Sequence, residues 1–183
     1  MNNFIIQPLA EPELAYKAAA FFATHIEATY ISHGDIIDDR ALDTATWSPD
    51  IEKIFAIDAL AAAGNATNLL ADGLHLTTTC MRGEMAGIML YEFVTGRRSR
   101  IALLHDIVVA KSLRGQGIGS AMLAWLEAQT RQADDIGKLF LESGLENHAA
   151  HTFFEHRDYQ MCSKTMIKHF NPSRIQVRSD GFL

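Results

Sequence analysis

The residues best placed to do chemistry are the alternating glycines of Arg114-Gly115-Gln116-Gly117-Ile118-Gly119-Ser120, which follow the apolar stretch Ile107-Val108-Val109 and open a helical pattern. A strand that turns through glycines into a helix presents unpaired backbone N–H groups at the helix start. The helix dipole adds partial positive charge there, and glycines remove the Cβ atoms that would hold phosphate oxygens away. This chemistry suits a diphosphate, with Arg114 adding a charge-assisted contact from the edge. Two nucleotide-binding patterns are excluded. A P-loop ends in Gly-Lys-Ser/Thr, whereas Gly119 is followed by Ser120-Ala121. The fingerprint G-x-G-x-x-G/A needs Gly or Ala where this chain has Ser120, counting from Gly115, or Met122, counting from Gly117. A strand-to-helix turn without a ligand is the plain alternative, but it does not account for three alternating glycines behind an arginine.

With those residues in view, the chain resembles the GNAT superfamily of acetyltransferases. Arg114 to Gly119 matches that family's Q/R-x-x-G-x-G/A acetyl-CoA signature, and Asp106-Ile107-Val108-Val109 is similar to the strand that precedes it. A second block, Asn147-His148-Ala149-Ala150-His151-Thr152-Phe153-Phe154 ending at Asp158-Tyr159, resembles the family's N-x-x-A-x-x-F-Y helix and following Gly-Phe pair. The resemblance covers about residues 100 to 170; the N-terminal part agrees only in element order. It implies that acetyl-CoA and an amine bind together and that the free amine attacks the thioester directly. By the same resemblance Ile107, Val108 and Val109 would hold the pantetheine arm and polarise the carbonyl. The loop through Ser120 would take the phosphates, Asn147 would contact the cofactor or loop, and Phe154 would wall the pantetheine.

An alkylammonium must lose a proton before it attacks, so a base near the end of that strand is useful. Asp106 stands where many family members carry a glutamate and is the preferred candidate; a carboxylate that only organises hydrogen bonds is the other reading. His105 is its neighbour and should point to the opposite face unless a bulge intervenes. The family often protonates the departing thiolate with a tyrosine on the late helix, and this chain has Phe154 there. Tyr91, Tyr159, Ser143 or water could substitute, or the step could run without a dedicated acid; for Tyr159, core packing is the competing role. Glu142 and Ser143 end a short strand from which side chains can reach a substrate cleft. The run Asp35, Asp38, Asp39 and Asp43 could select a cationic amine or be a solvated loop. His148, His151 and His156 share no complete metal-ligand spacing, so no metal is expected.

The elements that must position these groups follow from periodicity. Asn3 to Leu9 reads as a strand, and apolar residues at Leu14, Ala18, Phe21, Phe22 and Ile26 predict a helix from Glu13 to Ile31, ended by Ser32-His33-Gly34. Residues 35–46 read as loop, and Ser48-Pro49 starts a second helix through about Ala63. Three strands follow, 74–80, 85–94 and 100–109, with turns at Arg82-Gly83-Glu84 and Gly96-Arg97-Arg98-Ser99. Met122, Leu123 and Leu126 share one face of a helix from Ile118 to about Ala133; 138–141 is a buried strand, 147–157 a helix, and Gln160 to Phe170 suits one or two last strands. The order β-α-α-β-β-β-α-β-α-β predicts an α/β (α+β) fold, a GNAT-like mixed, mostly antiparallel sheet flanked by helices. One acyltransferase domain is expected over residues 1–172, with a polar tail at 173–183.

Composition narrows the partners. A chain of 183 residues that is 48% hydrophobic and 21% charged is ordinary for one folded domain. A net charge of -6 removes the broad positive field that nucleic acid or an anionic membrane would require. Cys80 and Cys162 match no disulfide framework or zinc spacing. With no signal-peptide pattern and no apolar run near the ~20 residues of a membrane span, the reading is cytoplasmic. A homodimer is common in the resembled family, though no feature demands it. The expectation is therefore an N-acetyltransferase acting on a primary amine of a small molecule or peptide. A non-catalytic acyl-CoA-binding sensor or regulatory module, motivated by Phe154, is the alternative.

Overall fold

A computed structural model of the chain describes residues 4–168. The elements run β1 (Phe4–Pro8), α1 (Pro12–His25), a 3-10 turn (Ala28–Tyr30), α2 (His33–Ile37), α3 (Ile51–Ala63), β2 (Gly73–Met81), β3 (Glu84–Thr95), β4 (Arg100–Val109), a second 3-10 turn (Lys111–Leu113), α4 (Ile118–Gln132), β5 (Ile136–Leu141) and α5 (His148–Glu155). The five strands form one sheet in sequence order. Pairings are antiparallel except β4 with β5, which is parallel, as a strand–helix–strand connection through α4 requires.

Both faces of the sheet are covered, which explains why β3 reads as a nearly continuous apolar run. Ile88 and Leu90 face α1 and α3, in a core where Phe22 stacks on Phe55 at 4.2 Å and alanines bring the two helices close. Met89, Tyr91 and Phe93 face the other way, toward Met122, Leu123 and Leu126 of α4 and Phe154 of α5. Gly87 sits beneath α4, where a Cβ would meet the Met122 sulfur at 2.9 Å. The β2–β3 turn holds Arg82 and Gly83 at φ of 55° and 84°, the paired left-handed conformation that matches strand twist.

The expected element order holds from β1 to α5, with several differences in detail: α1 ends at His25, short of the expected Ile31, and β5, expected to be buried, is half-buried to exposed along its length. Residues 33–37, read as the end of α1 and the start of a loop, form a helix of their own. Its N-cap Ser32 accepts from the Asp35 amide, and the Asp35 carboxylate accepts from the Ser32 backbone, a reciprocal capping box. At the other end, residues 160–168 carry no strand, and the rest of that expectation, with the polar tail, lies outside the described residues. α3 begins two residues beyond Pro49, after a turn in which the Ile51 N–H donates to the Ser48 carbonyl. Among the described residues no helix is long and apolar enough to cross a membrane.

Candidate active site

The register of β4 creates the site. Its pairing with β5 ends at Leu104 opposite Leu141, yet β4 runs on to Val109, so the two parallel strands part and open a cleft of about 550 Å³. On the other side of β4, Leu90 of β3 pairs with Asp106 and Tyr91 with Leu104, leaving His105 as an extra, unpaired residue. That bulge breaks the alternation, and His105 and Asp106 both line the cleft. His105 then turns its Nε2 to within 3.2 Å of the Glu92 carboxylate.

At the far end of β4 the chain passes through one 3-10 turn into the glycine loop. Gly115 and Gly117 have φ of +76° and +83°, a region that L-residues with a Cβ disfavour, and Cβ atoms built on them would stand in open space. Gly117 is the N-cap of α4 and offers no side chain to cap it, so the first helical amides face outward. Gly119 packs inward between Val109 and Phe153. The loop can therefore hold a diphosphate. The Arg114 guanidinium is directed elsewhere: it donates to the His25 carbonyl at 2.9 Å, pairs with Glu27 and lies over Tyr30. Lys111 Nζ donates to the Thr24 carbonyl. Both cations cap the C-terminus of α1, where carbonyls lack helical partners and the dipole is negative, and so pin the loop to that helix.

Beside one end of the cleft lies a buried guanidinium. Arg40 is 7% exposed, lies over the Phe22 ring and donates from Nη2 to Asp106 Oδ2 at 2.8 Å; its Nε lies 3.5 Å from Asp35 Oδ1. Burial works against its charge, and Asp106 and Asp35 more than offset that, raising the Arg40 pKa further. Asp35 shows the opposite balance: burial pushes its carboxyl up, against the pull of Arg40. Glu142, just past β5, accepts from the Gly34 N–H at 3.2 Å and sits 2.9 Å from His33 Nδ1, linking β5 to the start of α2.

Asp106, Ile107, Val108, Val109, Arg114, Gly115, Gly119, Asn147 and Phe154 all border this cleft. Asn147 caps α5, its Oδ1 accepting from the Ala150 N–H. Ser120 lies just inside α4, its hydroxyl accepting from Arg157 at 2.6 Å. Tyr159 is not brought to the cleft: its hydroxyl donates to Glu127 of α4 at 3.1 Å, and burial, then Glu127, pushes its pKa up. Tyr91 is fully buried under α4, stacked on His75. Sequence reasoning missed Arg40 and Tyr30. The signal for Arg40 was a single arginine inside the run of aspartates from 35 to 43. Among the described residues no group of three or more His, Cys, Asp or Glu could hold a metal ion.

Comparison with known proteins agrees with this geometry. The model of the acetyltransferase (GNAT) family matches residues 42–159. The chain is 31% identical over 99 residues to an aminoalkylphosphonate N-acetyltransferase of Salmonella typhimurium, a match covering 53% of this chain and 64% of that protein, just under two thirds of its length. Among solved structures, aminoglycoside acetyltransferase AAC(6')-Iy with a CoA-containing bisubstrate analogue aligns over 92% of this chain and 99% of its own, with TM-score 0.65 and 11% identity. A ribosomal-protein-alanine N-acetyltransferase from Brucella melitensis aligns over 92% and 100%, with TM-score 0.62 and 14% identity. At these identities the structural likeness is one of fold.

Proposed function

Because the chain belongs to the GNAT acetyltransferase family, we propose that it moves an acetyl group from acetyl-CoA to a primary amine, both substrates binding in the cleft between β4 and β5. The observation that carries the reading is the parting of these strands next to a glycine loop whose left-handed residues leave open space at a helix start. The loop amides would take the diphosphate, and the β4 backbone from Ile107 to Val109 the pantetheine arm. A β4 amide would donate to the carbonyl oxygen as it gains charge. Asn147 and Phe154 border the same cleft and would flank the arm. Asp106 would engage the amine.

Carboxylates favour one class of acceptor. Glu27, Asp35, Asp106 and Glu142 border the cleft, and this supports a cationic amine over one carrying an additional anion. The relative from Salmonella typhimurium is named for aminoalkylphosphonates, which do carry that anion, so the two acceptor classes can be set against each other. Thiol release from acetyl-CoA, measured with polyamines, aminoglycosides, amino acids, peptides and 2-aminoethylphosphonate, tests the proposal. Turnover with cationic amines supports it. Binding of CoA by calorimetry with no thiol release from any amine supports instead a non-catalytic acyl-CoA-binding module. That second reading is favoured by Phe154 at the usual tyrosine position and by the commitment of Tyr159 to Glu127.

A further inference from the structure

Three carboxylates surround Arg40, and their positions divide the work between them. Asp35 and Asp106 line the cleft; Asp58, on α3, interacts with the same guanidinium but does not reach the cleft. Arg40 gives its short bond to Asp106, at 2.8 Å, while its Nε only approaches Asp35 at 3.5 Å and makes no hydrogen bond at all. Asp35 Oδ2 accepts from both the backbone N–H and the hydroxyl of Ser32, each at 2.9 Å, which fixes the carboxylate and leaves Oδ1 facing the Arg40 Nε at 3.5 Å with no hydrogen bond.

Resting on the acetyl-transfer reading above, we infer that Asp35 Oδ1 takes the proton from the acceptor ammonium, while Asp106, anchored by Arg40, binds and aims that ammonium. A carboxylate oxygen held in a short charge-assisted bond is committed to that partner; a buried carboxylate oxygen that receives no hydrogen bond keeps a lone pair for a proton. The environment of Asp35 agrees, since burial raises its pKa, the Asp106 charge adds to that, and Arg40 opposes it. The shared partner thus gives the two carboxylates different tasks: Asp106, in the short bond, is the anchor, and Asp35 is the base. The other titratable groups nearby are engaged: His105 faces Glu92, and Glu142 is held by His33 and the Gly34 amide.

The step balances without any further reactant. The ammonium gives one proton to Asp35, and the freed nitrogen lone pair forms the bond to the thioester carbonyl carbon. The C–S bond breaks as the carbonyl re-forms, and a second N–H proton passes to the departing thiolate, directly or through water, giving the amide and CoA thiol. Asp35 releases its proton to solvent.

The experiment compares wild type, Asp35→Asn, Asp106→Asn and Ser32→Ala, using acetyl-CoA with putrescine, kanamycin and 2-aminoethylphosphonate. For Asp35→Asn we expect kcat at pH 7 to fall about 100-fold with acetyl-CoA affinity unchanged, and the loss to shrink as rising pH supplies free amine. Asp106→Asn should instead raise the acceptor KM about tenfold and keep the acid limb of the pH–rate profile. Ser32→Ala removes a donor to Asp35 Oδ2 that holds the Asp35 pKa down and retains the carboxylate, so it should keep that limb but move it to higher pH, which separates chemistry from folding. Independently of turnover, the side-chain 13C resonance missing from Asp35→Asn should titrate above the ordinary carboxylate range in the free enzyme. An ordinary or lower value overturns the assignment. So does an Asp35→Asn enzyme with near-normal kcat and its acid limb intact, an outcome that leaves acetyl transfer standing. No thiol release by the wild type with any of the three amines overturns both.

Discussion

Gly144 lies so close to Thr29 that a Cβ built on it would stand 2.1 Å from the Thr29 carbonyl oxygen and 2.7 Å from that of Ile31. The loop after β5 and the connection between α1 and α2 thus touch backbone to backbone, joining two sides of the cleft.

Because the obstructing atoms are backbone, no rotamer change relieves a side chain at this position. Gly144→Ala must push the two loops apart and is expected to cost about 2–3 kcal/mol, read as a lower urea midpoint with unchanged m-value. The separation displaces Glu142 and Ser143 at the cleft, so the acceptor KM should rise more than that of acetyl-CoA. Equal effects on both substrates would place the damage elsewhere.

Gly117 and Gly83 form a matched pair: φ is +83° and +84°, and neither has an atom within 4 Å of an added Cβ. Alanine at either position should cost about 1–2 kcal/mol of stability through backbone strain alone. If the open space above Gly117 is where a diphosphate lies, only Gly117→Ala will also weaken CoA binding. Calorimetry on both variants separates the two effects, and an equal CoA affinity for both would remove the loop from the site.

Local pattern made most of the frame legible. β3 reads as a strand because Ile88 to Tyr91 are apolar in succession and both faces are covered. The glycine loop is a contiguous motif, so its place after β4 follows from the chain itself. What escaped depends on distance in sequence. The Arg40–Asp106 bond joins residues 66 apart, and no periodicity connects them. Helix α2, of five residues, is too short to show a period, although Ser32 and Asp35 at the spacing of a capping box marked its start. Tyr159 stands where the resembled pattern puts an aromatic, but only the packing of α5 on α4 shows its hydroxyl turned to Glu127.

Asp158 takes φ of 64°, where the resembled motif carries glycine. The chain reverses there after α5, and the Tyr159 N–H closes back on the Phe154 carbonyl. Asp158→Gly should therefore stabilise the protein by roughly 0.5–1 kcal/mol, the relief of left-handed strain less the extra freedom glycine gains when unfolded. A rise in the urea midpoint without loss of CoA affinity is the expected result. A fall would mean that the Asp158 side chain contributes more than its backbone costs.

His75 gives the fold a dependence on acid. The ring is 1% exposed, stacked on Tyr91 at 5.1 Å, and its Nε2 donates to the Ala71 carbonyl at 2.8 Å, which leaves Nδ1 buried with no partner. A proton on Nδ1 would have no acceptor, so burial lowers the pKa below its ordinary 6.5, against the opposing pull of the Ala71 carbonyl. The folded state then binds fewer protons than the unfolded one. This contribution to stability is full above the unfolded value and is lost as pH falls through the folded one. Asp35 and Asp58, raised by burial, act with the opposite sign at the acid end, so the measurement must be a difference between proteins. His75→Phe keeps a flat ring over Tyr91 and cannot titrate. It should cost about 1 kcal/mol at pH 7.5, because the Ala71 carbonyl loses its donor. The gap to wild type should then narrow on going to pH 5, in urea titrations followed by the fluorescence of Trp125, 6.1 Å from Tyr91. A gap that stays constant across this range would show that His75 takes up its proton equally in both states, and would remove it as the acid-sensitive group of the core.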